Sequence, residues 1–160
     1  MSVSQQPLGS TPPAAGAPKP PNRVHVTWNG GQRFETGRPA GPVARIDGTG
    51  ETAQSPVDML LSALASCVSI DVVMILAKRR TPASRLEVGV TGRRTDTTPR
   101  RLLAVDLAFT IDGDGIDRTQ AVRAIDLSLN KYCSVHDSLA SDIAYTWSLA
   151  LNGEAGAPGQ

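Results

Sequence analysis

The run "SPVDMLLSALASCVSIDVVMILAKRR", Ser55 to Arg80, constrains this chain more than any other segment. Ser55 is a natural N-cap, Pro56 suits the first helical position, and Asp58 completes a capping box with Ser55. Lys78, Arg79 and Arg80 complement the negative C-terminal end of a helix, and Thr81-Pro82 stops it. The pattern predicts one helix of about 25 residues, roughly 38 Å long. It is apolar nearly all round, which places it in the middle of a fold rather than on its surface. A membrane span would look similar, but Ser62, Ser66, Ser69 and above all Asp71 interrupt the run. A buried helix of a soluble protein is therefore expected.

The segments around it read as strands. In "RVHVTW", Val24, Val26 and Trp28 alternate with Arg23, His25 and Thr27, the period of a half-buried strand. "NGG" from Asn29 is a hairpin turn, "QRFET" a second strand and "VARID" a third, together a small antiparallel meander. Beyond the helix, Leu86, Val88 and Val90 alternate in one strand. Leu103, Val105, Leu107, Phe109 and Ile111 alternate in the next, joined to the first in antiparallel fashion through "TDTTPRR". Asp117 caps a second helix whose buried stripe is Val122, Ile125, Leu129 and Tyr132. "CSVHDSLASD" reads as a bend with a turn or two of helix. "IAYTWSLAL" closes the domain as a strand with Ile143, Tyr145, Trp147 and Leu149 on one face. The order β-β-β-α-β-β-α-β is α+β with antiparallel pairing. Pro, Ala, Gly and Ser dominate residues 1–22 and recur in 153–160, so both ends read as flexible tails around one domain, 23–152.

Composition narrows the function. A net charge of +1 argues against nucleic-acid or membrane-surface binding, which usually shows a strong basic excess. The N-terminus has neither the basic start nor the apolar stretch of a secretory signal, so a reducing cytoplasm is expected. There a stable structural disulfide is uncommon, and a cysteine pair that does bond is usually transient and functional. No dinucleotide, P-loop or nucleophile-elbow motif occurs. "DGDGID" from Asp112 has Asp117 where a calcium loop needs Gly and Arg123 where it needs Glu, so it is a turn. Cys133-x-x-His136 lacks the second close pair of a zinc site, and no metal or cofactor is expected.

The two cysteines remain. Cys67 is set in the apolar helix with Asp71 at i+4 on the same face, and Cys133 ends the second helix in "KYCSV". A lone buried cysteine is usually only a small hydrophobe, and Asp71 would then be a buried acid paired to an arginine. The alternative is a redox site.

"SPVDMLLSALASCVSIDVVMILAKRR", followed some way on by "NKYCSVHDSL", resembles the OsmC/Ohr family of thiol-dependent hydroperoxide reductases. It is similar in particular to the branch with a C-x-x-I-D-V-V helix. The likeness runs from about Arg23 to Leu151. It implies an OsmC-like α+β fold, with antiparallel sheets packed around a long central helix, in an intertwined homodimer whose sites lie at the subunit interface. It also implies that Cys67 is the peroxidatic thiol and Cys133 its resolving partner, with organic hydroperoxide as substrate and an external thiol or dithiol as reductant. An arginine of the N-terminal hairpin holds the thiolate in this family. Arg33 matches that place best and Arg38 second. The position of the family's glutamate, directly after the helix-opening proline, is Val57 here, and the acid falls one place later at Asp58. Asp71 beside Cys67 would disfavour a thiolate unless such an arginine offsets it. Two other functions fit the same residues: a non-catalytic dimer binding an apolar small molecule, and a thiol or persulfide carrier using Cys67 alone.

Overall fold

The computed structural model describes residues 19–156. The long helix, α1, spans Pro56–Lys78, and its start has the geometry the sequence implies. The Ser55 backbone N–H donates to Asp58 Oδ2 at 2.9 Å, and the Asp58 N–H returns to Ser55 Oγ at 3.3 Å. One stripe of α1, namely Leu64, Val68, Val72 and Leu76, is fully buried at i, i+4 spacing. The other faces are not. Leu60, Ile70, Val73 and Met74 are exposed, so a single chain encloses only part of the helix expected at the centre of the fold.

Two sheets flank α1. The first is the meander β1 (His25–Trp28), β2 (Arg33–Gly37) and β3 (Val43–Asp47), antiparallel throughout. Gly30 and Gly31 take the positive φ values, 95° and 58°, that turn the chain between β1 and β2. The half-buried alternation expected for β1 is absent within one chain. Val24, Val26 and Trp28 are all exposed, because the meander is a single layer that meets α1 chiefly through its β3 edge.

A carboxylate that the sequence did not single out joins the meander to α1. Asp47, at the end of β3, is 2% exposed. Its Oδ1 accepts from the Thr49 N–H and hydroxyl at 3.0 and 2.8 Å, and its Oδ2 from those of Thr52 at 3.0 and 2.6 Å. Four donors on one carboxylate close the loop leading into the Ser55 cap. The Thr52 and Thr49 hydroxyls hold the Asp47 carboxyl well below the usual carboxylate range.

The second sheet has the order β4 (Arg85–Arg94), β5 (Leu102–Asp112), β6 (Ala144–Leu151) and β7 (Glu154–Ala155). β4 and β5 pair antiparallel as expected, but β5 and β6 run parallel. The purely antiparallel reading therefore fails at this pair. The link from β5 to β6 carries two helices, α2 (Arg118–Leu127) and α3 (Ser134–Asp137), and a crossover of that length brings the chain back in the same direction. β7 pairs with β6 inside the segment expected to be tail, so the ordered domain extends past residue 152. Of the expected N-terminal tail, residues 1–18 lie outside the described residues, as do 157–160 at the other end.

The core forms where the inner face of this sheet meets the buried stripe of α1 and the Ala121, Ala124 and Ile125 face of α2. Phe109 and Trp147 meet edge to face at its centre, with ring centroids 6.4 Å apart. Gly92 allows the close contact of β4 with α1, since a Cβ there would lie 3.0 Å from Leu61 Cδ1 and 2.8 Å from Leu102 Cδ2. α2 begins as expected, with Asp117 Oδ1 accepting from the Gln120 N–H at 2.7 Å. It does not continue as an α-helix to Tyr132. Ser128–Tyr132 form a wider π turn, which swings Tyr132 outward to 48% exposure while Leu129 stays buried.

The Asp47 loop yields a test with a definite sign. A carboxyl held below its ordinary pKa stabilises the fold above the unfolded value, near pH 4, and loses that contribution as pH falls through the folded value. Asp47→Asn should therefore lower the thermal midpoint at neutral pH. The gap from the native chain should stay constant down to about pH 5 and narrow only in stronger acid. Thermal scans across pH measure both.

Candidate active site: two facing cysteines

Cys67 sits mid-way along α1, half-buried, one residue before the enclosed Val68. Cys133 is 3% exposed and follows the π turn in an extended conformation, φ −71° and ψ 99°. It is the N-cap of α3: its Sγ accepts from the His136 N–H at 3.3 Å, where Ser, Thr, Asp or Asn is usual. The α2–α3 corner packs on α1, so the two thiols face each other across that junction.

Burial pushes the Cys133 thiol up to about 11. The His136 N–H opposes the rise, and the facing Cys67 thiol adds to it as hydrogen-bond partner and neighbouring charge. The pair is thus unequal, with one thiol reachable from solvent and the other enclosed and held protonated at neutral pH. Around Cys133 lies a hollow of about 300 Å³ with Leu129, Lys131, Tyr132, His136 and Asp137 on its walls. The His136 ring packs against Tyr145 at 4.4 Å. The Tyr145 hydroxyl is enclosed without a hydrogen-bond partner among the described residues. Burial first, and then the charge of Cys133, raise its pKa.

The remaining expected site residues are placed as follows. Asp58 is an exposed cap near the start of α1, two turns and more from Cys67, and its hydrogen bonds with Ser55 lower its pKa. Among the described residues, Asp71 pairs with no arginine. Its Oδ2 accepts from the hydroxyl of Ser128, at 3.1 Å. Arg33 lies on β2, lining a separate hollow with Phe34, Glu35, Arg45 and Thr52, and Arg38 lies in the turn between β2 and β3. Within one chain neither arginine is beside the cysteines, and the walls around Cys133 hold no arginine among the described residues. Sequence reasoning also passed over Ser128. Its only signal was a hydroxyl at helical spacing, three residues on, from Ile125, on a face that had to be buried.

Comparison with known proteins places the chain in a family. The family model for OsmC-like protein matches residues 48–148, which include both cysteines and α1. The chain belongs to the OsmC-like family. Protein YhfA of Escherichia coli K12 is 37% identical over 114 residues, covering 71% of this chain and 85% of YhfA. The OsmC-like protein of Mycoplasma pneumoniae superposes with a TM-score of 0.72 at 18% identity, over 82% of this chain and 97% of its own. The organic hydroperoxide resistance protein OhrB of Bacillus subtilis shares the fold at 12% identity, with a TM-score of 0.56 over 81% and 98%.

The inequality of the two thiols is directly measurable. With limiting iodoacetamide at pH 7, Cys67 should be modified in the folded protein while Cys133 stays unmodified until the chain is denatured. Peptide mass mapping distinguishes the two. Equal labelling of both would contradict the enclosure of Cys133.

Proposed function

We propose that this OsmC-like protein reduces organic hydroperoxides through a Cys67–Cys133 cycle. The observation that carries this reading is the facing of an accessible and an enclosed thiol. Cys67, as thiolate, attacks the distal peroxide oxygen and takes it with its hydrogen to become a sulfenic acid; the O–O bond breaks, and the departing alkoxide takes up from solvent the proton that the Cys67 thiol had released, leaving as the alcohol. The Cys133 sulfur then attacks the Cys67 sulfur. The S–O bond breaks, and the departing hydroxide takes the Cys133 proton to leave as water. An external dithiol reduces the disulfide and restores both thiols. The name of the Bacillus relative, an organic hydroperoxide resistance protein, agrees with this chemistry. The cycle belongs to a reducing compartment such as the cytoplasm, where such a bond is transient.

The same reading makes the working form a homodimer. The uncovered α1 residues Leu60, Ile70, Val73 and Met74, with Val24, Val26, Trp28 and Val43 of the meander, are apolar surface that a second copy would cover. A meander supplied across that interface could bring Arg33, or Arg38 from the adjoining turn, to Cys67. There a guanidinium would favour the thiolate. The apolar lining so formed suits fatty or aryl hydroperoxides better than hydrogen peroxide.

Cumene hydroperoxide should be consumed with dithiothreitol as reductant, and Cys67→Ser should abolish turnover. Cys133→Ser should spare the first oxidation, leaving a sulfenic acid trappable by dimedone, and block disulfide formation. Arg33→Ala should slow both alkylation of Cys67 and turnover. An inert Cys67 in a correctly folded protein would overturn the peroxidase reading.

The assembly is tested separately by size-exclusion chromatography with light scattering. A dimer is expected at micromolar concentration. A stable monomer that still turned over peroxide would remove the interface from the mechanism.

A further inference from the structure

Ser128 connects the two cysteine-bearing elements at one point. It is wholly inaccessible to solvent and, with Asp47, one of two buried polar residues among the described residues. Its hydroxyl lies 3.1 Å from the Val68 carbonyl, the residue after Cys67, and 3.1 Å from Asp71 Oδ2, one turn further along α1. One hydroxyl proton thus serves two acceptors on the same helix, a three-centre bond. Through its backbone, Ser128 also holds the other cysteine: its carbonyl accepts from the Cys133 N–H at 2.9 Å. That five-residue span is the bond that makes the turn π rather than α. An α-type turn would bring Tyr132, not Cys133, to this carbonyl.

We propose that Ser128 is a positioning residue for disulfide closure, a buckle that fixes Cys133 in register with Cys67 by tying the π turn to α1, with Asp71 as its anchor. The proposal rests on the two-cysteine reading and assigns Asp71 a role in it. The acid that the C-x-x-I-D pattern sets one turn past the cysteine faces the serine hydroxyl rather than tuning the thiol through an ion pair. The chemistry requires such a device. Closure is an in-line displacement at the Cys67 sulfur, and its rate depends on where the incoming sulfur waits. The attacking cysteine sits on a short irregular segment whose other hydrogen bonds, from the His136 N–H to its sulfur and from the Asp137 N–H to its carbonyl, are local to α3 and do not reach α1.

Closure can be separated from peroxide chemistry with diamide. This diazene oxidant accepts one thiolate and is displaced by the second thiol as the hydrazine, so it forms the Cys67–Cys133 bond whether or not the protein is a peroxidase. In Ser128→Ala, closure should slow on the order of tenfold or more with both diamide and cumene hydroperoxide. Iodoacetamide should still modify Cys67 at the native rate. Ser128→Thr, which keeps the hydroxyl, should recover most of the closure rate. Asp71→Ala, which removes one acceptor and leaves the buried serine in place, should slow closure to a smaller degree. It carries the test if Ser128→Ala does not fold. Native closure rates in Ser128→Ala, or in Asp71→Ala should that be the variant that folds, would overturn the proposal. So would a native protein that forms no bond with diamide. Closure with diamide but no reaction with peroxide, with Ser128→Ala slowed, would overturn the peroxidase reading and leave the buckle standing.

Discussion

The buried stripe of α1 is the constraint on which the rest of the molecule depends. Leu64, Val68, Val72 and Leu76 stack at i, i+4 and are fully enclosed. Each removes from water an apolar side chain worth about 1.5–3 kcal/mol of transfer free energy. The enclosure is made by β4, β5 and β6 together with α2, so the sheet is placed by the helix it covers. Cys67 immediately precedes Val68 on this stripe, which leaves its thiol at the boundary of the core. The helix therefore fixes the position of the first cysteine before any site chemistry is considered.

The second cysteine is placed by different means. Nothing in the regular structure requires Cys133 to lie where it does. α2 ends, the chain makes one π turn, and Cys133 caps the next short helix with its own sulfur. A cysteine is a weak cap, and a four-residue helix is marginal. The packing of Ile125 and Leu129, and the hydroxyl of Ser128 against α1, supply the order that the local sequence does not. A rigid mid-helix thiol thus faces a thiol on an irregular corner.

Most of the fold could be read from the sequence where its signals are local. The capping box of Ser55 and Asp58 and the Asp117 cap are formed by residues within one turn of each other, and both were legible. The antiparallel β4–β5 pair follows from alternation and a short loop. The parallel β5–β6 pair was not legible, because strand direction there is set by a crossover whose packing is a long-range property. Tyr132 was misplaced for a related reason. The stripe Val122, Ile125, Leu129, Tyr132 assumes an unbroken period, and one π turn shifts every residue beyond it. Both cysteines could be found because two specific motifs occur together. Ser128 and Asp47 could not be singled out, since a serine or aspartate reads the same in sequence whether it meets water or a buried partner.

Asp47 and Ser128 solve one physical problem at opposite ends of α1's neighbourhood. Each is a polar group taken almost entirely out of water, a step that costs free energy unless its hydrogen-bonding capacity is met. Asp47 meets it with four donors from its own loop, so the work of its carboxylate is local: it shapes the approach to the helix. Ser128 meets it across a sequence distance of about sixty residues, on a carbonyl and a carboxylate of α1. A local solution stabilises a loop, and a distant one fixes the relative position of two elements. Removing the first would loosen a segment, whereas removing the second would leave each element intact and free their register. In this protein that register is the distance between two sulfurs.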